Sequence, residues 1–124
     1  MYGVELKLLL AIASHESRFN PKALNINKGK SSKKSADRGI MQINSCWIPT
    51  LKKYAKADIR TALYNPDYNI KVGAWVLKQC LNRYGNTWRA VDCYNKGAKK
   101  ARNSSRYINK IWEEYKKIPD DIIK

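Results

Sequence analysis

Ala11-Ile12-Ala13-Ser14-His15-Glu16-Ser17-Arg18-Phe19-Asn20-Pro21 is the stretch on which the reading of this chain turns. Extended back to Val4, it predicts a helix over residues 4–18. Leu9, Ile12, Ala13 and Glu16 fall on one face at i, i+3, i+4, i+7 spacing, with Leu8, Ile12, His15 and Phe19 on the neighbouring one. Asn20-Pro21 ends it, because the residue before a proline avoids the helical region. Glu16 is out of place in this pattern. It continues an apolar stripe where Leu or Ala is expected, near the C-terminal end of the helix. Burial and the negative end of the helix dipole both disfavour the carboxylate and raise its pKa above the reference of about 4.3. A general acid at neutral pH needs a shift in that direction. The pattern leaves a second reading open: a glutamate with its head in water, or one paired with Arg18 or a loop lysine.

Working outward, residues 25–38 read as a polar, basic loop, and Gly39-Ile40-Met41-Gln42-Ile43-Asn44 is too short and mixed to assign. Pro49 to about Lys56 reads as a short helix. Asn65 caps a longer one with Pro66 at its first position, running to about Tyr84 and closed by Gly85. Its inner stripe is Ile70, Gly73, Ala74, Leu77, Cys80 and Leu81. Thr87 can cap a helix over Trp88–Tyr94. Ser104 or Ser105 opens the last helix, with Tyr107, Ile108, Ile111, Trp112 and Tyr115 inward and Pro119 beyond its end. Strand patterning is weak everywhere. The expectation is a mainly α fold in one domain, residues 1–124, without internal repeats.

Composition narrows the function. Twelve Ile and nine Leu in 124 residues argue for a folded core, and no window approaches the run of about 20 apolar residues that a membrane span needs. Twenty-five Lys and Arg against ten Asp and Glu give a net charge of +15, a field that attracts nucleic acid, anionic lipid or an acidic wall polymer alike. The basic pairs Lys33-Lys34 and Lys99-Lys100 sit in loops rather than along one helix, and no nucleic-acid motif accompanies them, so no nucleic-acid partner is expected. A single histidine, His15, excludes a multi-histidine metal site, and neither metal nor cofactor is expected.

The few acids sort by context. Glu113 and Glu114 lie beside Lys110, Lys116 and Lys117 on a solvated face, while Glu5 and Asp67 occupy first helical turns, where an acid is stabilising. Asp37, just ahead of Gly39-Ile40-Met41-Gln42, either faces Glu16 across a cleft or pairs with Arg38. Tyr94-Asn95 offers a ring and an amide suited to a sugar, or equally a core tyrosine beside a helix cap. Cys46, Cys80 and Cys93 cannot all pair within one chain and show no zinc spacing. Met1 is followed by Tyr2-Gly3-Val4 without a charged leader region, so no secretory signal is legible.

Four pieces in order, spanning about Tyr2 to Tyr115, resemble the soluble lytic transglycosylases, relatives of goose-type lysozyme. They are the quoted stretch from Ala11 to Pro21; Gly39-Ile40-Met41-Gln42-Ile43-Asn44; Asn65-Pro66 through Asn69-Ile70 to Gly73-Ala74; and Tyr94-Asn95-x-Gly97. The resemblance is to the small members that accompany bacterial secretion, conjugation and pilus systems. It implies a lysozyme-like α fold and a substrate of peptidoglycan glycan strands. Glu16 would be the catalytic acid–base, cleaving between N-acetylmuramic acid and N-acetylglucosamine and closing a 1,6-anhydro ring without water. By position, Ser17 would hold Glu16 or substrate, Met41 and Gln42 would line the cleft, Tyr94 and Asn95 would hold the sugar, and Tyr107 would lie near the acid. Asp37 falls where some specialised relatives carry an aspartate, which could support the cation or favour water attack, as in a muramidase. An inactive wall- or partner-binding module keeps the same fold and is the remaining alternative.

The departures carry expectations too. Cys93 stands where Ala is usual before Tyr-Asn, and Lys96 follows where Ala is frequent. Cys80 and Cys93 lie on adjacent predicted helices flanking Gly85 and are expected to form a disulfide in an oxidising compartment. Cys46 is then free, or its partner lies upstream. Since the family works on the wall outside the inner membrane, a periplasmic or cell-envelope location, a leader removed upstream and a monomer are expected. A secretion or conjugation component is the expected protein partner.

Overall fold

The computed structural model of the chain describes residues 2–28, 34–55 and 57–121. The described residues form six α-helices and one three-stranded antiparallel sheet of order β1-β2-β3. They group into two compact units, one bounded by Met1–His15 and Ala74–Lys124, the other by Glu16–Gly73.

In the Glu16–Gly73 unit, the end of helix α1 (Leu6–Ser17) leads into β1 (Leu24–Lys28), β2 (Lys34–Arg38) and β3 (Ile43–Asn44). A 3₁₀ turn at Ser45–Trp47 precedes helices α2 (Ile48–Lys52) and α3 (Ile59–Ala62), and the first two turns of α4 (Pro66–Tyr84) complete the unit. The hairpin corrects the expectation of a loop over residues 25–38. Leu24 pairs with Arg38 and Lys28 with Lys34, while Asp37 pairs with Asn44 across β2 and β3. Alternation is present (Leu24 and Ile26 against Asn25 and Asn27), but every residue of β1 is exposed, so no apolar face announces the strand. Buried Ile40, Met41, Ile43, Ile48, Leu51, Ile59, Leu63 and Val72 supply the apolar interior. The helix expected from Pro49 to about Lys56 is α2, ending at Lys52, and Lys56 lies outside the described residues. Helix α3 adds a turn that the sequence pattern did not show.

The other unit is helical. It takes α1 up to His15, α4 from Ala74, α5 (Trp88–Lys96) and α6 (Arg106–Lys117). The predicted caps form: Thr87 accepts from the Ala90 N–H and Ser105 from that of Ile108, and Gly85 takes φ 71° after α4. Cys80 and Cys93 are disulfide-bonded, joining α4 to α5 in a small core with Ala90 and Ala101. Cys46 is exposed and forms no disulfide. In α6, Tyr107, Ile108 and Ile111 point inward as expected. Trp112 does not. It is 43% exposed, because its ring lies at the surface edge-on to Trp88 at 5.9 Å and stacked on Tyr115 at 5.8 Å.

Candidate active site

Glu16 is the penultimate residue of α1 and is partly buried. The chain leaves the helix through two consecutive non-glycine residues in the left-handed region, Arg18 at φ 54° and Phe19 at φ 61°. Such a conformation costs about 1–3 kcal/mol per residue and persists only where surroundings over-determine it. Ser17 does part of that work: its Oγ donates to the Ile40 carbonyl at 2.7 Å and accepts from the Asn20 N–H at 3.1 Å. The end of the Glu16 helix is thereby tied to the segment Gly39–Gln42.

That segment is a tight turn, closed by the Gln42 N–H on the Gly39 carbonyl at 3.1 Å, with Gly39 at φ 80° and Gln42 at φ 52°. Asn69, on α4 and fully buried, holds it from below. Its Oδ1 accepts from the Met41 N–H at 2.7 Å, and its Nδ2 donates to the carbonyls of Arg38 and Leu63, both at 2.8 Å. A side chain on Gly39 would meet Asn69 at 2.2 Å and the Leu63 carbonyl at 2.5 Å, so only glycine fits. Met41 was expected to line the cleft, but it is fully buried. Its side chain fills the space over Gly73, where a Cβ would approach it to 2.7 Å.

Gln42 is held on both ends of its amide. Its Oε1 accepts from Asn25 Nδ2 at 2.6 Å, and its Nε2 donates to the Gly39 carbonyl at 3.0 Å and that of Ala23 at 3.4 Å. Asp37 sits mid-sheet on β2. Asn27 of β1 donates to its Oδ2 at 2.9 Å and Asn44 of β3 to its Oδ1 at 2.8 Å. Both amides also reach Ser35, each at 3.2 Å. Two donors on the two oxygens fix the plane of the carboxylate. Asp37 thus takes its partners from strand amides, and the neighbouring Arg38 lies on the opposite side of the pleat.

The remaining candidates belong to the helical unit. Tyr94 is partly buried and Asn95 exposed on the last turn of α5, while buried Tyr107 meets His15 edge-on at 5.4 Å. Burial lowers the His15 pKa; Glu114 opposes and Lys110 reinforces the shift.

Glu16, Ser17, Asp37, Met41 and Gln42 therefore share one unit, and hydrogen bonds link three of the four motif pieces to one another. Comparison with known proteins decides what they belong to. The family description "Transglycosylase SLT domain" matches residues 1–116. The chain belongs to the transglycosylase SLT family. The SLT fold is lysozyme-like, and the family carries a transglycosylase-type activity. Relatives include "Invasion protein IagB" of Salmonella typhimurium, 38% identical over 95% of this chain and 72% of that protein. A "Peptidoglycan-binding-like protein" of Escherichia coli O157:H7 is 37% identical over 95% of this chain and 73% of its own length. "Protein IpgF" of Shigella flexneri is 33% identical over 94% and 75%.

Two residues central to this SLT domain carried no role in the sequence reading. Asn69 was visible only as part of a motif, and a polar residue four positions before Gly73 on a helix gives no sign of burial. Asp92, fully buried on α5, accepts from Lys96 Nζ at 2.6 Å, Ser105 Oγ at 2.6 Å and the Arg102 N–H at 2.8 Å. Its i, i+4 spacing to Lys96 was the available signal. Burial works against the charge on Asp92, but the hydrogen bonds from Lys96, Ser105 and Arg102 outweigh it and hold the pKa below the ordinary carboxylate value. The two departures noted in the sequence have structural occupations: Cys93 forms the disulfide and Lys96 neutralises Asp92.

Proposed function

We propose that this SLT domain is a peptidoglycan lytic transglycosylase, cleaving the bond between N-acetylmuramic acid and N-acetylglucosamine with Glu16 as its single acid–base. Glu16 protonates the bridging glycosidic oxygen as the bond from the muramyl C1 breaks. The substrate's N-acetyl carbonyl supports the developing cation. The carboxylate then takes the proton of the muramyl C6 hydroxyl as that oxygen bonds to C1, which closes the anhydro ring and restores the acid. No water is consumed. The observation that carries this reading is the wiring of the Glu16 helix end, through Ser17, to the Asn69-held turn at Gly39–Gln42. One partly buried carboxylate is thus placed on a braced, strained scaffold of the kind that holds reacting groups.

In this proposal Gln42, Tyr94 and Asn95 contact the sugar and Tyr107 supports the acid. Met41, being buried, shapes the turn from within. The site lies in the cell envelope, and the reaction opens local gaps in the wall for a secretion, conjugation or pilus apparatus; the relatives' names, with "invasion" and "peptidoglycan-binding-like" among them, support that setting. No helix among the described residues is long and apolar enough to cross a membrane. The chain acts as a single domain and a monomer.

Asp37 favours a second reading. A carboxylate held in place by Asn27 and Asn44 suits a muramidase, in which it would stabilise the cation or steer water to C1. Mass spectrometry of digested sacculi separates the two. Anhydro-ended products, lost in Glu16→Gln and retained in Asp37→Asn, are expected. Reducing-end products that vanish with Asp37→Asn would establish the hydrolase, and no products from purified wild type would leave a binding module.

A further inference from the structure

The helical unit holds a cavity of about 310 Å³ between the start of α1, the Gly85–Thr87 connection and the outer face of α6. Two tryptophans form its walls: Trp88, 39% exposed, and Trp112, 43% exposed, their rings at 80° to each other. Large aromatic rings left at the surface forgo burial that the fold could have used, and both lie in one concave patch rather than singly. Glu5, Asn86 and Thr87 form the polar rim, and Leu8 and Val91 the floor. Glu5 is fixed there by a hydrogen bond from the Tyr115 hydroxyl to its Oε1. That bond also raises the Tyr115 pKa, with burial adding to it, so the phenol stays a donor.

The chemistry of the lining excludes most ligands. Cations already lie over the rings, Lys7 at 4.5 Å from the Tyr115 centroid and Lys116 at 5.7 Å from that of Trp112, so an ammonium ligand would meet like charge. An anion would meet Glu5. A purely apolar side chain would offer nothing to the Asn86 amide or to the second oxygen of Glu5, whose first accepts from Tyr115. What remains is a neutral ligand with apolar C–H faces for perpendicular rings and an edge of hydroxyls or amides for the rim, and a pyranose has that form. The volume lies at the lower end of small-molecule sites, about 300–1,000 Å³, which suits one sugar ring with its N-acetyl group.

We propose that the Trp88–Trp112 cavity is a second saccharide site, which binds a glycan strand and keeps the enzyme on an insoluble polymer. The identity of that polymer rests on the wall-glycan reading above. Two linked sites on one strand raise the effective concentration of the second without any new contact at the first.

The test is a titration of the full chain with the β-1,4-linked tetramer of N-acetylglucosamine, followed through the tryptophan indole N–H resonances. The Trp88 and Trp112 signals are expected to shift saturably. Trp88→Ala should weaken that response about tenfold or more, which corresponds to about 1.4 kcal/mol. The same variant should release more protein from pelleted sacculi while cleaving short soluble glycans at the wild-type rate. Trp88→Phe keeps a stacking ring and should retain both responses. Indoles unmoved by saturating tetramer overturn the site, as do indoles that respond only to an aromatic-rich peptide, which would make it a protein-docking pocket. The wild-type titration needs no variant to fold. The reaction itself is read independently from the products: anhydro ends with silent indoles sink the second site alone, whereas shifting indoles without anhydro ends sink the transglycosylase reading and keep the site.

Discussion

Asn69 and Asp92 do the same task in the two units by different chemistry. Each is fully buried on a helix and makes three hydrogen bonds, two of them to one neighbouring segment, Arg38–Met41 for Asn69 and Arg102–Ser105 for Asp92. Asn69 is neutral and both gives and receives, so it can bind two carbonyls and one N–H of the backbone at once. Asp92 only accepts, so all its partners are donors, and one is the cation Lys96. The contrast shows how a fold buys different sensitivities: an amide latch is indifferent to pH, whereas a carboxylate hub holds only while ionised.

The largest effect should come from the amide latch. Asn69→Leu removes no charge but strands two carbonyls and an N–H in the interior, each at about 1–3 kcal/mol, so a loss of at least about 3 kcal/mol is expected from urea unfolding. Gly39→Ala should approach the same loss from the other side, since its Cβ would collide with Asn69 at a positive φ. Both should abolish turnover together with stability. A loss below about 1 kcal/mol for Asn69→Leu would show that the turn Gly39–Gln42 does not depend on this latch.

Asp92→Asn should cost about 2–3 kcal/mol, below the usual figure for breaking a buried pair, because Lys96 is partly exposed and can turn to water. The sign of its pH dependence follows from the lowered pKa. In acid the unfolded chain binds more protons than the folded one, so the stabilisation is complete above the unfolded value of about 3.9 and drains away as pH falls through the folded value. Wild type should therefore lose stability steeply in that acid range, Asp92→Asn should lose less, and Asn69→Leu should keep the wild-type slope. His15 acts in a separate window. Its lowered pKa makes folding less favourable as pH falls below about 6.5, and its substitution should remove only that shallower limb. Equal acid slopes for wild type and Asp92→Asn would end the distinction between latch and hub.

The four longer helices and their caps were legible because caps and apolar periods are local: Thr87, Ser105, Asn65-Pro66 and Gly85 each announce a boundary through their own backbone chemistry. The motif pieces around Glu16 and Gln42 were legible as an ordered set. The hairpin was not, because its apolar alternation is confined to Leu24 and Ile26, while Asn27, Asp37 and Asn44 bind it through side chains on a polar face that apolar periodicity does not report. Trp112 misled for the opposite reason. Its position on the apolar side of α6 predicts burial, but nothing in the helix alone says whether a neighbour covers it. Asn69 and Asp92 were missed because a buried polar residue reads as a surface one until its partners, distant in sequence, are known.

Reduction of the Cys80–Cys93 disulfide should have a comparable but more local effect. A cross-link closing a loop of this kind is worth about 3 kcal/mol, and the two cysteines are separated by 13 positions. Faster amide exchange is expected across α5 and the end of α4, with the β1–β2 hairpin unchanged. Exchange that accelerates equally in the hairpin would show that the two units unfold as one.

Gly85→Ala should give the smallest effect, and it isolates the conformational part of the Gly39 argument. The two glycines have nearly the same backbone, φ 71° at Gly85 and 80° at Gly39, so the intrinsic cost of a left-handed alanine, about 1–2 kcal/mol, is common to both. Only the surroundings differ. A Cβ on Gly85 meets nothing within 4 Å, whereas one on Gly39 runs into Asn69 and the Leu63 carbonyl. Gly85→Ala should therefore unfold about 1 kcal/mol more easily and keep full activity. The excess of Gly39→Ala over that figure measures the latch itself. If the two substitutions cost the same, the close approach of Asn69 to the turn carries no energy, and the bracing assigned to the Glu16 side of the molecule would have to come from Ser17 alone.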